Sequence, residues 1–180
     1  MARALPHGMR MHPYPRHLDG FDYVGFRQYF LTFCTHERRP LLTSPEHVAL
    51  VELYFLRTAQ EMEFADLAHC FMPDHLHAVV EGRAEQADAR LFISRMKQYS
   101  GFYFKQQFKQ RLWQRYGYEH VIRHSEATKR VIKYLLENPI RAGLVSNVSD
   151  YPFIGSSEYS REQLLEFCRD STVSGVSASA

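Results

Sequence analysis

The chain has 180 residues, 45% of them apolar and 23% charged, with a formal net charge of +2 at pH 7. That length suits one domain with a substantial core, and so small a net charge excludes reading a polyanion partner from the overall balance. Three widely spaced cysteines, Cys34, Cys70 and Cys168, form no C-x-x-C pair, which argues against a disulfide framework or thiolate zinc ribbon and for a reducing compartment.

Residues 1–24 mix Pro, His, Arg and Gly without periodicity and read as an irregular arm. Pro6, Pro13 and Pro15 interrupt it, so it lacks the apolar core of a signal peptide. No apolar run approaches the roughly twenty residues that span a bilayer, so a cytoplasmic protein without a membrane partner is expected. Tyr29, Phe30, Leu31, Thr32 and Phe33 predict a first strand over 28–35. Ser44 as N-cap and Pro45 at the first helical position predict a helix to about residue 62, with Val48, Val51, Phe55 and Leu56 on its apolar side.

Residues 64–71 and 75–81 read as second and third strands joined by Met72, Pro73 and Asp74. A long helix follows over 85–108, with Gly101 as a candidate break. Residues 118–123 read as a fourth strand, and Ser125 as the N-cap of a last helix that Pro139 stops after Asn138. A short amphipathic piece over 161–168 and a small, polar tail close the chain. The order β-α-β-β-α-β-α is that of an α+β, ferredoxin-like split β-α-β fold with one helix appended. The expected division is an arm over 1–24, one domain over 25–155, and a short helix with a disordered tail over 156–180.

The candidate chemistry begins at His75-Leu76-His77. On a strand, alternate side chains share a face, so the two imidazoles point the same way, and histidine is a common ligand of divalent metals. Ten histidines make such a triplet unspecific, and two half-exposed histidines at a strand edge are the plainer interpretation of it alone. On the last helix, Tyr134 and Asn138 lie four residues apart and share a face; by spacing alone they fit a packing tyrosine beside a capping asparagine. Between residues 81 and 133 there are twelve Lys/Arg against five Asp/Glu, a surplus of seven that suits nucleic acid or a solvated helix face.

Three blocks together are more specific. Met72-Pro73-Asp74-His75-Leu76-His77, then Trp113-Gln114-Arg115 with Tyr118-Glu119-His120-Val121-Ile122-Arg123, then Tyr134-Leu135-Leu136-Glu137-Asn138-Pro139-Ile140-Arg141-Ala142-Gly143-Leu144-Val145 resemble the REP-associated tyrosine transposases of the single-tyrosine HUH superfamily. The resemblance covers about residues 25 to 155 and implies a ferredoxin-like fold. It implies Tyr134 as nucleophile and His75, His77 and Asn138 as ligands of magnesium or manganese. Asparagine at 138, where insertion-sequence relatives more usually carry glutamine, points to the REP-associated branch. The implied substrate is single-stranded DNA beside a short, hairpin-forming palindromic repeat, and the protein would be a monomer or homodimer.

The residue chemistry is compatible with that reading. A tyrosine that attacks a phosphodiester keeps the bond energy in a 5′-phosphotyrosine and frees a 3′-hydroxyl, so the strand can be rejoined. With an ordinary pKa near 10, tyrosine needs a cation or a base nearby. Two imidazoles and an amide are neutral ligands and leave a cation's charge for the phosphate, although imidazole by itself favours zinc, nickel or copper. Arg95, Lys97, Lys105, Arg115 and Arg123 are the candidate DNA contacts, with Tyr103, Tyr116 and Tyr118 as candidate stacking rings and Arg3, Arg10, Arg16 and Arg27 as a possible grip from the arm. Competing readings are a non-catalytic nucleic-acid module, against which the lack of an aromatic ribonucleoprotein signature counts, a zinc hydrolase using His75, His77 and His120 or His124, and a domesticated nuclease or regulator.

Overall fold

A computed structural model of the protein describes residues 22–115, 118–122 and 125–169, with the backbone alone at 118–120 and 125–127. Five strands, β1 (Gln28–Cys34), β2 (Phe64–Met72), β3 (His75–Gly82), β4 (Tyr118–Ile122) and β5 (Ile154–Gly155), form one sheet in the order β4-β1-β3-β2-β5. Every neighbouring pair is antiparallel. The first four strands reproduce the expected ferredoxin-like arrangement. The two-residue β5, which carries too little pattern to be read from sequence, adds an edge beside β2.

The period-2 alternation of the strands divides the core in two. Tyr29, Leu31 and Phe33 of β1 and Leu76, Ala78 and Val80 of β3 face α1 (Pro45–Glu61) and α2 (Ala89–Phe108). Phe30, Cys70, Met72 and Val79 face the other way, toward α3 (Ser125–Leu136) and α5 (Arg161–Arg169). Each residue of β2 is buried, because helices cover that strand from both sides. Ser44 does cap α1, accepting the amide of His47 at 3.2 Å, with Pro45 in the first turn where its missing N–H costs nothing.

Two expected boundaries shift. The second helix starts at Ala89, not near residue 85, because the Asp88 side chain accepts the amides of Arg90 and Leu91 at 2.8 and 3.1 Å and so caps it. It then runs through Gly101 without a break. The last helix ends at Leu136, and the chain restarts as the single turn α4 (Asn138–Arg141), with Pro139 in its first turn. Pro139 therefore does not simply stop a helix that carries Asn138; Asn138 opens the next one.

Candidate active site

His75 and His77 sit on the α3 side of β3, as the alternation requires, opposite Cys34 and Thr32 of β1 and opposite Met72 and Cys70 of β2. Each ring has a partner at Nδ1. The His75 Nδ1–H donates to Asp74 Oδ1 at 2.6 Å, and His77 Nδ1 lies 2.9 Å from the Thr32 hydroxyl. With both Nδ1 atoms engaged, the two Nε2 atoms converge to 3.0 Å. A polar partner at the far nitrogen is how proteins fix the tautomer and aim of a ligating imidazole.

The support extends outward from Asp74. Its second oxygen, Oδ2, accepts from Arg38 Nε at 3.0 Å, and Arg38 Nη1 reaches Cys34 Sγ at 2.9 Å. Arg38 is brought there by an unusual backbone, since Glu37 and Arg38 both hold φ near +56°. Left-handed conformation costs a non-glycine residue about 1–2 kcal/mol, and such strain persists where surrounding contacts over-determine it. Here the contacts include buried Thr35, whose amide donates to the Asp74 carbonyl at 3.0 Å, and the Leu42 amide on the Pro73 carbonyl at 2.9 Å. The turn before His75 is thus tied down on both sides. Asp74 is held below the usual carboxylate range: burial works against this, but the His75 hydrogen bond and the Arg38 charge outweigh it.

His77 is pushed well below the ordinary histidine value, first by burial and then by the charges of His75, Arg141 and Arg38. It is a neutral imidazole with a lone pair to offer, the state a metal ligand needs. Its ring stacks on Phe30 with centroids 5.2 Å apart, and Phe30 in turn meets the edge of the Tyr134 ring at 6.4 Å. One phenylalanine therefore separates the imidazole pair from the tyrosine of α3. The Arg141 guanidinium lies over the Tyr134 ring, 4.0 Å from its centroid.

Asn138 does not continue the helical face of Tyr134. Pro139 lacks the N–H that would bond the Leu135 carbonyl, and Asn138 Nδ2 fills that vacancy, donating to Leu135 O at 3.2 Å. The consequence is chemical: the amide nitrogen is engaged within the chain, so Oδ1 is the atom this side chain could offer a cation. Among the described residues no three His, Cys, Asp or Glu side chains gather into a metal cluster. A cation here would rest on two imidazoles, with an amide or substrate oxygens completing its shell. The convergent Nε2 pair, oriented from behind by Asp74 and Thr32, fits such an ion.

The five basic residues singled out from sequence divide. Arg95 and Lys105 are exposed on α2, which packs against the sheet face opposite the imidazoles. Lys97 is turned inward, its Nζ donating to the carbonyls of Gln114 and Arg115 at 2.8 and 3.0 Å, and burial lowers its pKa. It pins the segment beside the end of β1, where the Gln114 amide meets the Cys34 carbonyl. Arg115 is exposed on that segment. Arg123 lies outside the described residues, as do Tyr116, His124 and the arm with Arg3, Arg10 and Arg16; the side chains of Tyr118, Glu119 and His120 do so as well. Tyr103, a candidate base platform, stacks instead on Tyr54 at 4.3 Å. Sequence reasoning missed Arg38 and Arg141, since nothing in their spacing links either to the histidines.

A split β-α-β sheet with paired imidazoles on one face, below a helix that presents a tyrosine to the same face, is the architecture of a tyrosine transposase domain. The sequence profile described as "Transposase IS200 like" matches residues 26–138, and the chain belongs to that family. It is 26% identical over 152 residues to a Haemophilus influenzae protein named for the REP-associated tyrosine transposases, covering 73% of this chain and 81% of that one. It is equally 26% identical over 136 residues to the REP-associated tyrosine transposase of Escherichia coli K12, covering 73% and 77%. Among solved structures, a REP-associated tyrosine transposase bound to a REP hairpin superposes with a TM-score of 0.66 at 23% identity, over 80% of this chain and 82% of that one. The ferredoxin-like fold and the resemblance to REP-associated tyrosine transposases both stand.

Proposed function

We propose that this transposase cuts and rejoins single-stranded DNA beside hairpin-forming palindromic repeats, with Tyr134 as nucleophile and a divalent cation held by His75, His77 and Asn138. The observation that carries the proposal is the alignment of the two convergent Nε2 atoms, the Phe30 ring and the Tyr134 ring on one sheet face. Tyr134 gives up its phenolic proton to solvent water as its oxygen bonds to phosphorus, the P–O3′ bond breaks, and the leaving oxygen takes up a proton from water to become a 3′-hydroxyl. Because the reaction exchanges one phosphoester for another, its reversal onto a second 3′-hydroxyl needs no added energy source. When bound, magnesium or manganese would supply Lewis-acid polarisation of the phosphate. The chain itself orients the imidazoles through Asp74 and Thr32, and Phe30 sets the spacing between them and the nucleophile.

The hairpin substrate is supported by the relative solved on a REP hairpin. The experiment is denaturing electrophoresis of a labelled oligonucleotide carrying a hairpin and single-stranded flank, incubated with magnesium or manganese. A covalent species should form, mass spectrometry should place the 5′-phosphate on Tyr134, and Tyr134→Phe should abolish it while the protein still binds the oligonucleotide. Adduct formation by Tyr134→Phe, cleavage without any adduct, or full activity in chelator would each defeat the proposal.

A further inference from the structure

Arg141 touches Tyr134 in two ways at once. Its guanidinium carbon lies 4.0 Å from the centre of the tyrosine ring, and its Nη2 donates to the Tyr134 carbonyl oxygen. Glu137 Oε2, 3.5 Å from Nη1, holds the other arm. The fold arranges this through the restart at Asn138 and Pro139: the single turn of α4, with the Arg141 amide on the Glu137 carbonyl at 3.1 Å, carries Arg141 back against the end of α3. A continuous helix would have placed residue 141 two turns beyond Tyr134.

The α4 turn that carries Arg141 packs on β2, the strand whose Cys70 and Met72 lie opposite His77 and His75. A cation held against the Tyr134 ring therefore stands on the sheet face that carries the imidazoles, the face on which the attacked phosphate would gather negative charge. Guanidinium offers five N–H donors in a planar fork, more than its two polar contacts among the described residues use. Its partial exposure, 38% of the side chain, leaves the fork open to a ligand.

We propose that Arg141 binds the scissile phosphate: lying over the Tyr134 ring, it donates to a non-bridging oxygen of the phosphodiester that Tyr134 attacks. The inference rests on the reading of Tyr134 as nucleophile. As Tyr134 releases its phenolic proton to solvent water its oxygen bonds to phosphorus, the P–O3′ bond breaks and the leaving oxygen is protonated by water, while the guanidinium fork stabilises the charge on the equatorial oxygens. Because one face of the guanidinium is packed on the ring, the same contact holds the nucleophile and the electrophile together.

The test compares Arg141→Gln and Arg141→Lys with the parent in single-turnover adduct formation at saturating oligonucleotide. Arg141→Gln should slow the step about 100-fold or more, the scale of losing one preorganised donor to a developing oxyanion. Arg141→Lys should recover only part of this, since it keeps the charge without the planar fork. Affinity, measured by fluorescence anisotropy in a Tyr134→Phe background, should be little changed. Substrates with one non-bridging oxygen of the scissile phosphate replaced by sulfur separate this role from a structural one. One diastereomer should react slowly with the parent, and that penalty should shrink in Arg141→Gln. A parent-like rate in Arg141→Gln, a defect erased by saturating DNA, or an undiminished sulfur penalty would overturn the proposal. Adduct formation by Tyr134→Phe alone would instead remove the nucleophile reading beneath it.

Discussion

The two faces of the sheet hold histidines in opposite states, His69 on one and His77 on the other. His69 of β2 faces α1 and lies between two carboxylates, with Asp66 Oδ2 at 2.6 Å from Nδ1 and Glu52 Oε1 at 3.0 Å from Nε2. Burial alone would strip its proton, but Asp66 and Glu52 outweigh that and raise it to about 9. His77 is half-buried on the α3 face, where burial and then the charges of His75, Arg141 and Arg38 all push it below the ordinary histidine value and keep it neutral. Desolvation pushes both rings the same way; the sign of the nearby charge decides the outcome. One face uses imidazole as a structural cation, the other keeps it as a lone-pair donor.

The largest expected contrast comes from removing each ring. His77→Ala, like His75→Ala, should abolish adduct formation while the protein still unfolds cooperatively near the parent's midpoint. His69→Ala should leave chemistry intact in the folded fraction but destabilise by about 3–5 kcal/mol, the cost of stranding a buried charge. Asp66 adds to that cost, since its Oδ1 already has no hydrogen-bond partner among the described residues. Chemical denaturation alongside adduct yield measures both quantities, and a folded His69→Ala protein with no activity would break the distinction between the faces.

A smaller effect should follow from Asp74→Asn, which weakens the partner of His75 Nδ1 without touching either Nε2 atom. Loss of such an outer partner typically lowers metal affinity about 10- to 100-fold, so the manganese concentration for half-maximal cleavage should rise by that factor while the rate at saturation falls less. An unchanged manganese dependence would mean that Asp74 only shapes the turn.

The smallest effect is in pH. His69 has a folded pKa raised from 6.5 to about 9, so its contribution to stability is fully present below about 6.5 and lost as pH rises through about 9. The groups facing it are Asp66 on its own strand and Glu52 on α1, and Gly155 of β5 lies close enough that a Cβ there would sit 2.6 Å from His69 Nε2. The melting temperature should decline between pH 6.5 and 9, and the decline should flatten when Asp66→Asn and His69→Gln are combined. A flat profile in the parent would mean that the charge on His69 does not contribute.

How much of this was legible in the sequence differs between local and long-range features. Strand alternation put His75 and His77 on one side, Ser44 and Pro45 marked the start of α1, and the order of elements named the fold, because each depends on neighbours a few residues away. The ends of α2 and α3 were misplaced where a side chain replaced a backbone partner: Asp88 capping two amides, and Asn138 answering for the N–H that Pro139 lacks. Lys97 looked like a phosphate contact because composition cannot show that a cation is already satisfied by carbonyls from another segment.

By itself the sequence determined the periodicities, and with them the sheet, its two faces and the paired imidazoles. Only the tertiary structure decided which charges surround each histidine, and so which ring holds its proton. It also decided that Phe30 separates His77 from Tyr134 and that Arg38 and Arg141 converge on their site. Residues 38 and 141 lie far from 77 in the chain, and Coulomb interactions depend on distance through space, which only the folded backbone sets.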